Sequence, residues 1–207
     1  MTFETWLAFA AASSVLLIIP GPTILLVVSY ALGQGWRAAW PLAVGVALGD
    51  LTSMTLSLLG LGALLAASAG VFTLLKWIGA AYLVYLGIKL FRAGGTMNAE
   101  PRTDATPPLR MIGHAWLVTA LNPKGLTFFI AFLPQFIDPS QSFWPQMAIF
   151  EVTFVGLAFA NAFGYAILAS RARWAFSSAS MIRALNRVGG SLLIAAGIAT
   201  ATARSSH

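Results

Sequence analysis

The chain carries an internal repeat, and the repeated stretches are apolar. Val44-Gly45-Val46-Ala47-Leu48-Gly49-Asp50 returns as Val155-Gly156-Leu157-Ala158-Phe159-Ala160-Asn161. Ile78-Gly79-Ala80-Ala81, with Leu83 and Gly87-Ile88, returns as Val188-Gly189-Gly190-Ser191, with Leu193 and Gly197-Ile198. Gly21-Pro22-Thr23 has its counterpart in Asn122-Pro123-Lys124. The offsets are about 111, 110 and 101 residues, so the order of the pieces is kept. Two related halves in so apolar a chain point to a membrane transporter built by internal duplication.

Composition names the solvent. The chain is 58% hydrophobic and 9% charged, against about 25% charged in ordinary soluble domains. One core cannot hide that much apolar surface, so the bilayer has to serve as solvent. The net charge of +6 does not by itself indicate nucleic acid, because the basic residues fall in a few short inter-helix segments. There is no cysteine, which excludes disulfides and thiolate chemistry. His114 and His207 are too few for a histidine-rich metal site. No H-E-x-x-H motif, Gly-x-Ser-x-Gly elbow or ATP-binding motif occurs, so neither an enzyme nor a cofactor is expected. The N-terminal apolar stretch lacks a basic leader and reads as a retained membrane segment.

Six apolar runs cover about 3–32, 38–66, 70–92, 112–137, 144–170 and 186–203. The chain then divides into a first three-helix repeat at 1–93, a polar linker at 94–111 and a second three-helix repeat at 112–207. Arg37, Lys89, Arg92, Arg102, Arg110, Arg171, Arg173, Arg183 and Arg187 fall to one side; Lys76 and Arg204 fall to the other. That imbalance places the linker in the cytoplasm and both termini outside. Trp6, Trp40, Trp77, Trp116, Trp144 and Trp174 sit near predicted span ends, as interfacial aromatics do. An odd number of spans per half makes the second half enter the membrane upside down. The expected fold is therefore all-α, with six transmembrane helices in two inverted repeats and helices 1 and 4 broken.

Pro20-Gly21-Pro22 breaks the first span and Asn122-Pro123-Lys124 the fourth. Proline removes a backbone donor and glycine permits unusual dihedrals, so freed carbonyls and new helix ends can face a cavity. Each break alone reads equally well as a kink. Paired breaks in corresponding places are the stronger pointer to a binding site. Lys124 and Asp50 both lie near mid-span, where a charge costs about 2.5–3.5 kcal/mol on insertion scales. Lys124 could hold a substrate carboxylate, and Asp50 a substrate ammonium or a proton; a purely structural ion pair between them is the competing reading. Asn161, the counterpart of Asp50, suits an interhelical hydrogen bond. Glu151 reads as a gate or a solvated side chain, and His114 as a bystander. Gly45, Gly49, Gly156, Gly79 and Gly87 read as close-packing positions between helices.

Pro20-Gly21-Pro22, Gly45-x-x-x-Gly49-Asp50, Trp77-Ile78-Gly79-Ala80-Ala81-Tyr82-Leu83 with Gly87, and Asn122-Pro123-Lys124 together resemble the LysE/RhtB family of amino-acid exporters. The resemblance spans nearly the whole chain. It implies efflux of amino acids or close derivatives across the bacterial inner membrane, driven by the proton motive force. Glu151 is the only further acidic candidate within the spans, which points toward a neutral substrate. The expected partners are the amino-acid substrate, protons and the lipid bilayer, with a homodimer through the Gly45/Gly49 face as one arrangement. A small channel or a non-transporting assembly subunit is the alternative class.

Overall fold

The structure, a computed structural model, describes residues 1–67, 69–92, 101–138, 140–171 and 179–202. Arg173, Trp174, Arg204 and the linker residues before 101 lie outside the described residues, as do the surroundings of Lys76, Gly79 and Tyr82.

All regular structure among the described residues is helical. Helix α1 is Phe3–Ile18, α2 is Pro22–Gln34, and a 3-10 turn at Gly35–Ala38 leads into α3, Ala39–Ala67. Gly35 has φ 74, so the chain leaves α2 through a conformation that suits glycine. Helix α4 is Ala69–Arg92 and α5 is Pro108–Ala120. Helix α6, Pro123–Thr127, runs on through a π turn at Phe128–Phe132 and a 3-10 turn at Leu133–Phe136. Helix α7 is Phe143–Arg171 and α8 is Ala179–Thr202. The last helix starts several residues before its apolar run. Helical backbone continues past Arg183 and Arg187, which are exposed.

Pro22–Gly60 and Phe143–Arg171 are long and apolar enough to cross a membrane. Pro108–Ala120 and Pro123–Phe136, bent by 42° at their break, are long and apolar enough only when taken together. Large apolar side chains such as Leu56, Val152, Leu168 and Val188 stay exposed on the outer helix faces. In water they would be a liability; against lipid tails they cost nothing.

Helix contacts are made with small residues. A Cβ on Gly45 would lie 2.7 Å from the Ala115 Cβ, and one on Gly49 would lie 2.6 Å from the Thr119 Cβ, so α3 and α5 nearly touch by backbone. Between α4 and α8, a Cβ on Gly87 would lie 2.7 Å from the Gly190 oxygen. One on Gly197 would lie 2.8 Å from the Ala80 oxygen. Those two contacts exchange under the repeat offset of about 110 residues. Gly156 departs from the packing expectation: its position on α7 is exposed, and a Cβ there meets open space. The buried face of α7 is instead built from Ala158, Ala162, Ala166 and Ala169. Beside it, Phe9, Phe128, Phe129, Phe150 and Phe154 form an aromatic core.

Candidate functional site

Two helix breaks meet at one small cavity. The first lies between α1 and α2. In a continuous helix the N–H groups of residues 20 to 23 would bond the carbonyls of residues 16 to 19. Pro20 and Pro22 have no N–H, and Ile19 and Gly21 adopt extended backbone, so the last four carbonyls of α1 lose their helical partners.

Side chains from the second half take their places. Lys124 Nζ donates to the Leu16 oxygen at 3.0 Å and the Ile19 oxygen at 2.7 Å. Asn161 Nδ2 donates to the Leu17 oxygen at 3.0 Å. Tyr165 Oη donates to the Ile18 oxygen at 2.6 Å. Apart from a local bond from the Ile19 N–H to the Leu16 oxygen at 3.3 Å, the carboxyl end of α1 is thus satisfied from residues more than a hundred positions away, and its negative dipole end receives a cation.

The second break lies between α5 and α6 and closes on itself. The Leu121 N–H donates to the Leu117 oxygen at 3.1 Å, and the Asn122 N–H to the Thr119 oxygen at 3.0 Å. Asn122 then caps α6, its Oδ1 accepting from the Lys124 N–H at 3.1 Å, with Pro123 in the first turn. Thr23 joins the two breaks. Its Oγ1 accepts from Asn122 Nδ2 at 3.1 Å and from Thr119 Oγ1 at 3.2 Å.

The cavity has a volume of about 30 Å³, and Leu16, Thr23, Asp50, Asn122, Lys124 and Asn161 are among its lining residues. Asp50 is 6% exposed. It comes off α3 beside the amino end of α6, its Oδ1 3.9 Å from where a Gly125 Cβ would stand. A carboxylate at a helix amino end is favourably placed. Asp50 and Lys124 attract across the cavity without a direct ion pair, since Lys124 is held by carbonyls. The simple Lys124–Asp50 bridge considered from sequence is therefore not the contact made. Asn161 does form an interhelical bond, from α7 to α1.

Sequence reasoning singled out neither Thr23, Thr119 nor Tyr165. Two signals were present. Thr23 is the repeat counterpart of Lys124, and Tyr165 follows Asn161 by one helical turn, on the same face of α7. Glu151 is half-buried and accepts from Thr55 Oγ1, tying α7 to α3. His114 shares a hydrogen bond of 2.6 Å with Tyr30, whose hydroxyl also accepts from Arg102 at 3.2 Å. These contacts, with the Arg102 N–H on the Ser29 oxygen, lay the described part of the linker across the end of α2.

A helical, lipid-facing chain with charged groups buried between two broken helices is built as a membrane carrier. The profile of the LysE type translocator family matches residues 14–204, and the chain belongs to that family. It is a membrane transporter and not an enzyme. The chain is 34% identical over 205 residues to an uncharacterised membrane protein of Vibrio cholerae, covering 99% of this chain and 100% of that one. It is 34% identical over 204 residues to a homoserine/homoserine lactone efflux protein of Salmonella typhimurium, covering 99% of each. A leucine efflux protein of Salmonella typhi is 33% identical over 124 residues, 59% of this chain and 58% of that one. No solved structure matches significantly.

Proposed function

We propose that the protein exports neutral amino acids or close derivatives from the bacterial cytoplasm, using the proton motive force. The observation that carries this reading is the pair of opposite charges, Asp50 and Lys124, lining one cavity between two helix breaks. A zwitterion needs such a pair, and few other solutes do. The homoserine and leucine efflux proteins among the relatives support the substrate class. Asp50 is the acid within reach of the cavity that can take up a proton during the cycle.

The architecture proposed is six spans in two inverted repeats of three. The exchange of the Gly87–Gly190 and Gly197–Ala80 contacts under the repeat offset supports a two-fold relation between halves. The orientation proposed has the linker in the cytoplasm and both termini outside. The linker contacts the Tyr30 end of α2, close to the exposed Arg37, while the Met1 amine lies against Gln141, near Asp138. Arg37 and Arg102 thus lie toward one end of the molecule and Asp138 toward the other.

The test is amino-acid release from dipeptide-loaded cells, with every amino acid in the medium read by mass spectrometry. Wild type should release one or a few neutral amino acids faster than the empty vector. Asp50→Asn at matched abundance should release them slowly and without dependence on external pH. Equal release from vector and wild type for every amino acid would refute the substrate class. Single cysteines replacing Thr2 and Glu100 should label from opposite sides of the membrane; same-side labelling would refute the topology.

A further inference from the structure

We propose that the carboxyl end of α1 is an ammonium-binding site, and that Lys124 is a tethered occupant which the ammonium group of the substrate displaces toward Asp50. The inference rests on the export reading only in taking that displacing group to be the substrate's.

Two carbonyls, those of Leu16 and Ile19, converge on one ammonium nitrogen at 3.0 and 2.7 Å. This is the chemistry that recognises any primary ammonium: acceptors only, at the negative end of a helix dipole. The neighbouring carbonyls of Leu17 and Ile18 are held by Asn161 and Tyr165 from α7. The receptor is therefore fixed, while its occupant hangs on a four-carbon stem with freely rotating donors.

Lys124 also has a second seat. Asp50 lines the same cavity and forms no ion pair within 4.0 Å among the described residues. A lysine leaving the carbonyls for Asp50 exchanges one set of acceptors for another without leaving a bare charge. The cavity's volume of about 30 Å³ holds roughly two waters, which is less than any amino acid needs. Space must come from a side chain that moves, and Lys124 is the long, flexible one in the wall.

The charges balance after the exchange. The substrate ammonium replaces the lysine ammonium at the carbonyls, and Lys124 sits between Asp50 and the substrate carboxylate. Displacement has a mechanical consequence as well. Lys124 belongs to the first turn of α6 and ties that helix to α1. Substrate binding would cut this tie between α6 and α1, while the bonds of Asn161, Tyr165 and Thr23 still join the two halves.

The experiment uses purified full-length protein and ethylammonium as the probe, read by thermal melting at constant ionic strength. Tetramethylammonium, which has no N–H donors, is the control. Lys124→Ala should gain a saturable rise of about 2–4 °C with ethylammonium and nothing with tetramethylammonium. Wild type, its site filled, should show a far smaller shift. Lys124→Met, which keeps most of the aliphatic stem, serves as the second variant; a variant that folds only with ethylammonium present also supports the site. The proposal is overturned if neither variant responds, if wild type responds equally, or if tetramethylammonium works as well. Failure of wild type to export amino acids would remove the substrate assignment and leave the ethylammonium result standing.

Discussion

The two helix breaks occupy corresponding places in the two halves and are stabilised in opposite ways. The α5–α6 break is self-sufficient: backbone N–H groups return to Leu117 and Thr119, and Asn122 caps the new helix. The α1–α2 break has two prolines where the other has one; apart from the Ile19 N–H on the Leu16 oxygen, its donors come from α6 and α7. A nearly symmetric scaffold has thus become a receptor in one half and a set of donors in the other. The divergence lies in a few positions. Lys124 stands where the first half has Thr23, and Asn161 where it has Asp50.

The largest way to break this comparison is to remove the borrowed donors. Asn161→Ala with Tyr165→Phe leaves two α1 carbonyls without partners, at about 1–2 kcal/mol each. Melting in detergent should drop by about 4–16 °C for the pair. The same pair in a Pro20→Ala/Pro22→Ala background should cost clearly less, because a helix running through position 21 supplies its own donors. An unchanged cost there would show that the prolines are not why the donors matter.

Packing gives the next effect. Gly49→Ala drives a methyl into Thr119 at the α3–α5 contact, costing about 1–3 kcal/mol, whereas Gly156→Ala on α7 enters open space. Equal melting temperatures for the two variants would contradict the asymmetry. Asn122→Ala should cost about 0.5–2 kcal/mol as a lost cap, and double-mutant analysis should show it coupled to Thr23→Ala through their shared bond.

The smallest effect is local. Asp138 accepts from the Ser140 hydroxyl and backbone and from Gln141, and these bonds, the hydroxyl first, hold its carboxyl below the usual carboxylate range. A depressed native pKa means the loop contribution is present above the ordinary aspartate value and disappears as pH falls through the depressed one. The hydrogen-exchange protection of the Ser140 amide, relative to its intrinsic rate at each pH, should fall on acidification, and Asp138→Asn should abolish that pH dependence.

Much of the site was legible one residue at a time. Proline at 20, 22 and 123 marks where helices cannot continue, and Asp50 and Lys124 stand out because charge is expensive in lipid. Their partners were not legible. A proline announces that a carbonyl four residues back has lost its donor, but nothing nearby says which distant side chain will supply another. For the same reason the GxxxG spacing at Gly45 and Gly49 names a close contact without naming α5. Its echo at Gly156 looks equivalent in sequence, yet a Cβ there meets open space among the described residues.

The sequence by itself determined the solvent, the helical class and the points where the helices break, because hydropathy and backbone donor chemistry are local properties. Only the tertiary structure decided that Lys124 serves the carbonyls of α1 instead of Asp50, and that Thr23, Thr119 and Tyr165 belong to the site. Those choices depend on which helix faces come together in space, and burial of unsatisfied polar groups, which local spacing does not encode, sets the energy of each choice.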